Sequence, residues 1–107
     1  MITKFKLYEA LNVGEPKVGD YVLVDSLRNN DLGTYLKTHM GKIILKKYSH
    51  KLGNIYTIQY DDIPIKEYRH LHDQITITID LIKYWCKNKR SALIEFEPYI
   101  TANKYNL

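Results

Sequence analysis

Residues 41–60 constrain the fold of this chain more than any other part of the sequence. They contain two runs typical of β-strands, residues 42–47 and 55–60, separated by a polar stretch that ends in Gly53-Asn54. Gly-Asn between two such runs is typical of a chain reversal, and the connection is longer than that of the tightest turns. The segment therefore predicts a β-hairpin with a long loop.

Each predicted strand of this hairpin has an apolar side. Because side chains alternate along a strand, Ile43 and Leu45 are expected to share one face of the first strand. On the second strand, Tyr56, Ile58 and Tyr60 share a face in the same way. Apolar surface is driven out of water, so other parts of the chain are expected to cover this side of the hairpin.

Two shorter elements are predicted before the hairpin. Val18-Gly19-Asp20 leads into a strand over residues 21–25, with Val22 and Val24 pointing inward and Leu23 on the other face. Asn30 or Asp31 can cap a short helix whose apolar residues recur at helical spacing, and Gly41 is a natural stop just after it. Those apolar residues are Leu32, Tyr35, Leu36 and Met40.

Two elements are predicted after the hairpin. Residues 74–85 read as the clearest strand, because Ile75, Ile77, Ile79 and Leu81 alternate with polar residues. These four side chains are expected to be buried together. A helix is expected near residues 88–97, with a second turn from Pro98 to about Lys104, because proline splits or kinks helices. The apolar residues of this segment, which we expect to cover an open side of the sheet, are Leu93, Phe96 and Ile100.

The chain of 107 residues predicts a single domain of the mainly β (α+β) class. We expect a small barrel-like sheet of four to five strands, with a short inserted helix and a C-terminal helix. The expected organisation is an N-terminal arm over residues 1–16, a barrel over residues 17–85 and a helical segment over residues 86–107.

The net charge of +4 and the pI of about 9.1 favour an acidic partner, either a protein or a nucleic acid. The single Cys86 excludes an internal disulfide and is typical of a reducing compartment. No run of residues resembles a signal sequence or reaches the length of a membrane helix. These features predict a soluble cytoplasmic protein without a membrane partner, and they leave the oligomeric state open.

Three stretches of the sequence resemble the opening strands of SH3-like barrels. They are VGDYVLV at residues 18–24, GKII at residues 41–44 and YTIQYDDIP at residues 56–64, so the resemblance covers about residues 17–64. The KOW and Tudor-like groups share this V-G-D-x-V-x-V, G-x-I, Y-x-V-x-F layout. The resemblance implies a small SH3-like barrel, and such barrels bind RNA, DNA or peptides, so it does not select a partner.

More loosely, the whole chain is similar to small uncharacterised proteins of tailed bacteriophages. The ending KYWCKNK at residues 83–89, followed by a helix, belongs to that similarity. It implies an accessory or virion component, located in the host cytoplasm or in the virion.

A cluster of basic residues on the predicted hairpin is the main candidate site. Lysines there can neutralise phosphates, and tyrosines beside them can stack on bases. The alternative is a solvated strand edge, where lysine discourages aggregation. The scarcity of arginine, with three in the chain, counts against specific base readout. The candidate binding residues are Lys42, Lys46, Lys47, Tyr48, His50 and Lys51, with Lys37 and His39 nearby in sequence.

Other constellations give weaker signals. Tyr21, Tyr56, Tyr60 and Trp85 could form an aromatic cage of the kind found in Tudor-like barrels, but core packing explains each of them equally well. His70 and His72 lack the four ligands at defined spacing of a zinc site, and Cys86 lacks an identifiable partner base. The Asp61-Asp62 pair is explained by a turn. We therefore expect no metal, no cofactor and no catalytic residues.

The expected function is a non-catalytic interaction module, an accessory or virion component of a phage, that docks on a protein partner. The alternative is a nucleic-acid-binding domain that uses the lysine-rich hairpin over residues 37–51.

Overall fold

A computed structural model describes residues 11–12, 14–25, 31–61, 63 and 72–105 of the chain. These residues form a small α+β domain in which one antiparallel sheet has the strand order β4-β3-β2-β1-β5. The sheet is open, with β4 and β5 at its two edges, and is not closed into the predicted barrel. In chain order the elements are β1 (Tyr21–Val24), α1 (Asp31–Thr38), β2 (Gly41–Ser49), β3 (Gly53–Gln59), β4 (Gln74–Thr78), a 3₁₀ turn (Ile79–Leu81), β5 (Ile82–Cys86) and α2 (Lys89–Tyr105).

The turn before β1 confirms the predicted strand start. Gly19 has φ of 99°, which suits the third position of a tight turn, and the backbone N–H of Asp20 donates to Lys17 O at 3.0 Å. The buried Asp20 carboxylate accepts from Lys17 N at 2.9 Å. Beyond the turn, Gly19 N donates to Ile43 O and Ile43 N donates to Asp20 O, so the turn fixes the start of the β1–β2 pairing.

Helix α1 forms where the apolar spacing predicted it, and it buries Leu32 and Leu36. The prediction that Gly41 terminates this helix is wrong, because α1 ends at Thr38 and Gly41 is the first residue of β2. Gly41 is required by close packing instead. A Cβ at this position would run into the Ile58 side chain and lie 3.0 Å from the Tyr60 ring.

The predicted hairpin is confirmed as β2 and β3, paired from Lys42–Gln59 to Ser49–Gly53. Tyr56 and Ile58 are fully buried, as expected. Leu45 was expected to share the buried face with Ile43, and that prediction is wrong. The register shifts between Ile43 and Leu45, so β2 carries a bulge that turns Leu45 to the opposite face.

The prediction of one strand over residues 74–85 is also wrong. Strand β4 ends at Thr78, and a 3₁₀ turn carries the chain to β5, which pairs with β1 at the far edge of the sheet. Ile77 is buried as expected, but Ile79 lies in the turn and is 38% exposed. The alternation of apolar residues continues through the 3₁₀ turn, so the pattern gives no indication that the strand ends there.

The C-terminal segment is a single helix, not two helical pieces divided at Pro98. Asn88 precedes it, and the Asn88 side-chain oxygen accepts from the N–H groups of Arg90 and Ser91. Phe96 is fully buried, as expected, whereas Leu93 is exposed, contrary to its predicted place in the core.

Apolar residues are buried on both faces of the sheet. The α1 face carries the larger core, which includes Val22, Ile43 and Tyr56 from the strands and Leu32 and Leu36 from α1. The opposite face, which we call the α2 face, carries a smaller core of four buried residues, with Tyr21, Tyr84 and Ile100 packed at its margin. Those four residues are Leu23, Cys86, Ala92 and Phe96.

Candidate interaction surface

The long β2–β3 hairpin extends beyond both cores. Its last fully buried residue toward the turn is Tyr56, and we call residues 47–54, which lie beyond it, the hairpin tip. Seven residue pairs hold the two strands together. The tip is therefore a projecting but hydrogen-bonded part of the sheet, and the side chains on it have defined directions.

Apolar and aromatic groups are exposed at the hairpin tip. Tyr48 is 71% exposed and Leu52 is 60% exposed. The Tyr48 ring meets the His50 ring edge to face, with 5.6 Å between their centroids. Ile79 lies at the same end of the sheet, because its neighbour Thr78 pairs with Ile55 near the start of β3.

The turn at the tip has a local cause in the sequence. The Ser49 hydroxyl accepts from the N–H groups of Lys51 and Leu52, both at 3.3 Å. Gly53 has φ of 76°, a left-handed conformation that glycine adopts without strain. Together these features close the reversal and hold Lys51 and Leu52 outward, where both are exposed.

The structure divides the predicted basic cluster instead of gathering it. Residues directly opposite each other in a sheet project to the same side, so Lys46, opposite the buried Tyr56, lies on the α1 face. Lys47, opposite Ile55, lies on the α2 face. Lys42 is also on the α2 face, but it is at the base of β2, about 25 Å along the strand from His50.

Lys46 also has a negatively charged neighbour that comes from a distant part of the sequence. Its Nζ lies 3.6 Å from Glu15 Oε2, and it is 5.7 Å from the centroid of the Tyr56 ring. The Lys46 side chain is partly buried by this arrangement. Its charge is therefore partly offset within the molecule, unlike those of Lys47 and Lys51, for which no ion pair occurs among the described residues.

Lys37 and His39 belong to a different surface. The His39 ring stacks on Tyr35 of α1 with 3.9 Å between centroids, and its Nδ1 lies 3.0 Å from Tyr35 O. The Lys37 carbonyl accepts from the Asn103 side chain of α2 at 2.9 Å. These contacts connect the end of α1 to its surroundings and do not add to the hairpin tip.

Two rings of the conceivable aromatic cage fill the α1-face core. Tyr56 is fully buried and its hydroxyl donates to Pro16 O at 3.2 Å. Tyr60 is 2% exposed, and its hydroxyl has no hydrogen-bond partner among the described residues. Trp85 is half-buried against the same α1-face core, and Tyr21 lies on the other face of the sheet beside α2. The four rings therefore do not surround one open space.

The histidines, Cys86 and the acidic pair at residues 61–62 are the other candidate groups from the sequence. Within the described ranges, no three His, Cys, Asp or Glu residues are grouped closely enough to hold a metal ion. His72 is exposed, while His70 and Asp62 lie outside the described residues. Cys86 is buried in the α2-face core, with its Sγ 3.6 Å from Asn88 O.

Sequence reasoning missed the exposed apolar residues at the hairpin-tip end of the sheet, Leu52 and Ile79. Leu52 lies among polar residues and belongs to no apolar periodicity. Ile79 belongs to an alternation that predicted its burial. The end of β4 at Thr78 leaves Ile79 exposed, and no local sequence signal marks that end.

Comparison of the chain with protein families, with curated proteins and with solved structures finds no match. Neither helix in the described part of the chain is both long enough and apolar enough to cross a membrane. The protein is a small α+β domain whose β2–β3 hairpin projects beyond its two cores.

Proposed function

We propose that this protein is a non-catalytic interaction module that docks on a protein partner through the hairpin tip. The observation that carries the proposal is the exposure of Tyr48 on a hairpin whose backbone is paired along its length. An exposed tyrosine held in this way can enter a pocket of a partner at little entropic cost, because its backbone is already ordered.

The composition of the tip supports a protein surface as the partner. Tyrosine is enriched among the residues that dominate binding energies at protein interfaces. Leu52, in the turn of the same hairpin tip, adds exposed apolar area. Lys47 and Lys51 are exposed on the same tip, with Lys47 on the face opposite to Tyr48, so acidic residues of a partner are the expected match to these two charges. Charges at the rim of an interface act mainly by steering association.

We propose, in addition, that the domain has an SH3-like architecture. The support is the meander of β1 to β4 with β5 returning to pair with β1, together with the sequence resemblance over residues 17–64. The proposal that the protein is an accessory or virion component of a phage rests on the sequence resemblance alone.

Nucleic-acid binding is the competing hypothesis, and the structure weakens the observation behind it. Lys46 is paired with Glu15, and Lys42 lies far from the tip. A lysine patch for phosphates would therefore consist of Lys47 and Lys51, with His50 between them, which is a small patch for salt-dependent binding.

The test is capture of a partner from the source cell by wild-type protein and by matched variants. Tyr48→Ser with Leu52→Ser removes the tip anchors. Tyr105→Ser with Leu93→Ser removes the same residue types from exposed positions on α2. We expect the wild type and the α2 variant to retain the same protein and the tip variant to lose it. Retention by the tip variant would contradict the proposal.

Gel filtration with oligonucleotides at two salt concentrations tests the competing hypothesis. If the tip binds nucleic acid, affinity should fall with salt by a log–log slope of about −0.7 to −0.9 per neutralised phosphate. Changing Lys46, Lys47 and Lys51 to Glu should then abolish binding. Tight binding of random oligonucleotides at physiological salt, lost in this triple variant, would replace the protein-docking proposal.

A further inference from the structure

A groove opens on the α2 face at the base of the hairpin, at the opposite end of β2 from the tip. Its volume is about 170 Å³. Strands β1, β2 and β3 form its floor, and the beginning of α2 forms one wall. The lining residues are Tyr21, Met40, Gly41, Lys42, Gln59, Asp61 and Lys89.

The floor of the groove is fixed by the sheet register. Lys42 is opposite Tyr21 on one side and opposite Gln59 on the other, so the three side chains stand in a row. The Gln59 amide nitrogen donates to Tyr60 O at 2.9 Å, and its oxygen accepts from Gln74 at 3.1 Å. Because Gln59 is engaged within the protein, the charged side chains are the strongest polar groups left to meet a ligand.

Three charged residues line the groove, and they come from three different elements. Lys42 is on β2, Asp61 follows β3 and Lys89 begins α2, and all three are exposed. In the described part of the chain, none of the three forms an ion pair. The Lys42 ammonium group instead lies 5.6 Å from the centroid of the Tyr21 ring. Two lysines and one aspartate therefore line the same space without forming ion pairs with one another.

The groove does not depend on free N–H groups at the start of α2. The Asn88 side chain already accepts from Arg90 N and Ser91 N. An anion in the groove would therefore meet the ammonium groups of Lys42 and Lys89, which arrive from separate parts of the fold.

We propose that this groove binds one carboxylate group, supplied by an acidic side chain of the protein partner. The proposal rests on the proposed protein-docking function and gives the module a second contact point, on another part of its surface. A single negative charge matches the net charge of two lysines and one aspartate. A doubly charged phosphate would leave the occupied groove with a net charge of −1, whereas a carboxylate leaves it neutral.

The probe is the capped peptide acetyl-Gly-Glu-Gly-amide, which carries one carboxylate and cannot engage the hairpin tip as a whole partner would. Acetyl-Gly-Gln-Gly-amide is its uncharged match. Binding is followed by ¹H–¹⁵N chemical shifts of the full chain at millimolar peptide. We expect the Glu peptide to shift the amide signals of groove residues saturably, and the Gln peptide to leave them unchanged.

Variants give changes of opposite sign. Lys42→Gln and Lys89→Gln should each lower the affinity for the Glu peptide by about threefold, which is the effect of one charge a few ångströms away in water. Asp61→Asn should raise the affinity for the Glu peptide by about the same factor. The control is Lys104→Gln, an exposed lysine on α2 that lies about 22 Å along the helix from Lys89 and should change nothing.

Several results would overturn the proposal: no saturable shift with the Glu peptide, an equal response to the Gln peptide, or tighter binding of inorganic phosphate than of the Glu peptide. A lower affinity of the Asp61→Asn variant for the Glu peptide would also overturn the proposal. These outcomes are independent of the tip, because the peptide titration requires no partner. Loss of capture by the tip variants together with a negative titration would remove the groove and leave the docking function in place.

Discussion

Leu23 and Leu45 lie on the same face of the same sheet, but one is buried and the other is exposed. Leu23 on β1 is 2% exposed, whereas Leu45 on β2 is 43% exposed. The difference comes from α2, which packs Ala92 and Phe96 against Leu23 and Cys86. The part of the face that carries Leu45 lies outside this buried cluster.

This contrast shows that coverage by helices decides which apolar residues form a core. At the β1 and β5 side, both faces of the sheet are packed, by α1 on one side and by α2 on the other. At the hairpin tip neither core continues, and Tyr48 and Leu52 remain in contact with solvent. Apolar groups left outside a core on an ordered strand are available for a partner, whereas those inside contribute to stability.

The largest expected effect tests the covered region. Phe96→Ala removes the fully buried ring that α2 places on the sheet, and should lower the free energy of unfolding by about 3–5 kcal/mol. Leu93→Ala, on the exposed side of the same helix, should change it by less than about 0.5 kcal/mol. Denaturant unfolding followed by circular dichroism measures both. Similar losses for the two variants would mean that α2 packs on a different side.

An intermediate effect compares a buried tyrosine with an exposed one. The Tyr60 hydroxyl is buried without a hydrogen bond among the described residues, so Tyr60→Phe should stabilise the protein by about 1–3 kcal/mol. Tyr48→Phe, at the tip, should leave the free energy of unfolding unchanged. Destabilisation by Tyr60→Phe would show that this hydroxyl has a partner.

The same residue gives a pH dependence with a defined sign. Burial, with a smaller contribution from Tyr35, raises the pKa of Tyr60 above its ordinary value of 10.0. A raised pKa means that folding favours the neutral phenol, so this contribution is complete below pH 10 and decreases as the pH rises further. Wild-type protein should therefore lose stability in alkali more steeply than Tyr60→Phe. Parallel stability profiles for the two proteins would contradict this assignment.

The smallest expected effect concerns the pair between Lys46 and Glu15. Both side chains are partly or largely exposed, so Glu15→Gln should cost about 0.2–1 kcal/mol, and added salt should reduce the difference. Lys47→Gln, without such a pair, should cost less. A loss well above 1 kcal/mol for Glu15→Gln would mean that the pair is more buried than its geometry indicates.

The sequence predicts the elements that depend on local pattern. The hairpin, the inward direction of Val22 and Val24 and the existence of α1 follow from alternation, turn residues and helical spacing. The bulge in β2 and the end of β4 at Thr78 do not, because Ile44 and Ile79 are as compatible with a continuous strand as their neighbours. Their positions are set by how the sheet packs as a whole.

The continuous α2 shows a second limit. Proline removes one helical hydrogen bond, and the sequence therefore predicts a division at Pro98. In the structure both Pro98 and Ile94, four residues earlier, are exposed, so water can satisfy the carbonyl group that loses its partner. Burial of Ala92 and Phe96 on the other side stabilises the helix on the sheet.

For the candidate site, the sequence identifies the hairpin but not its charge distribution. Lysines that are close in sequence alternate between the two faces, and the bulge changes which of them go to which face. The pairing of Lys46 with Glu15 joins segments that are far apart along the chain, so no local sequence pattern predicts it. The groove between Lys42 and Lys89 has the same origin in tertiary structure.

The comparison of Leu23→Ala with Leu45→Ala tests the central claim most directly. Both variants remove the same atoms from the same face of the sheet, and chemical denaturation measures their free energies of unfolding. We expect Leu23→Ala to lower that free energy by about 2–5 kcal/mol, and Leu45→Ala to change it by less than about 0.5 kcal/mol. Equal losses at the two positions would contradict the account, because they would show that the hairpin is covered as fully as β1.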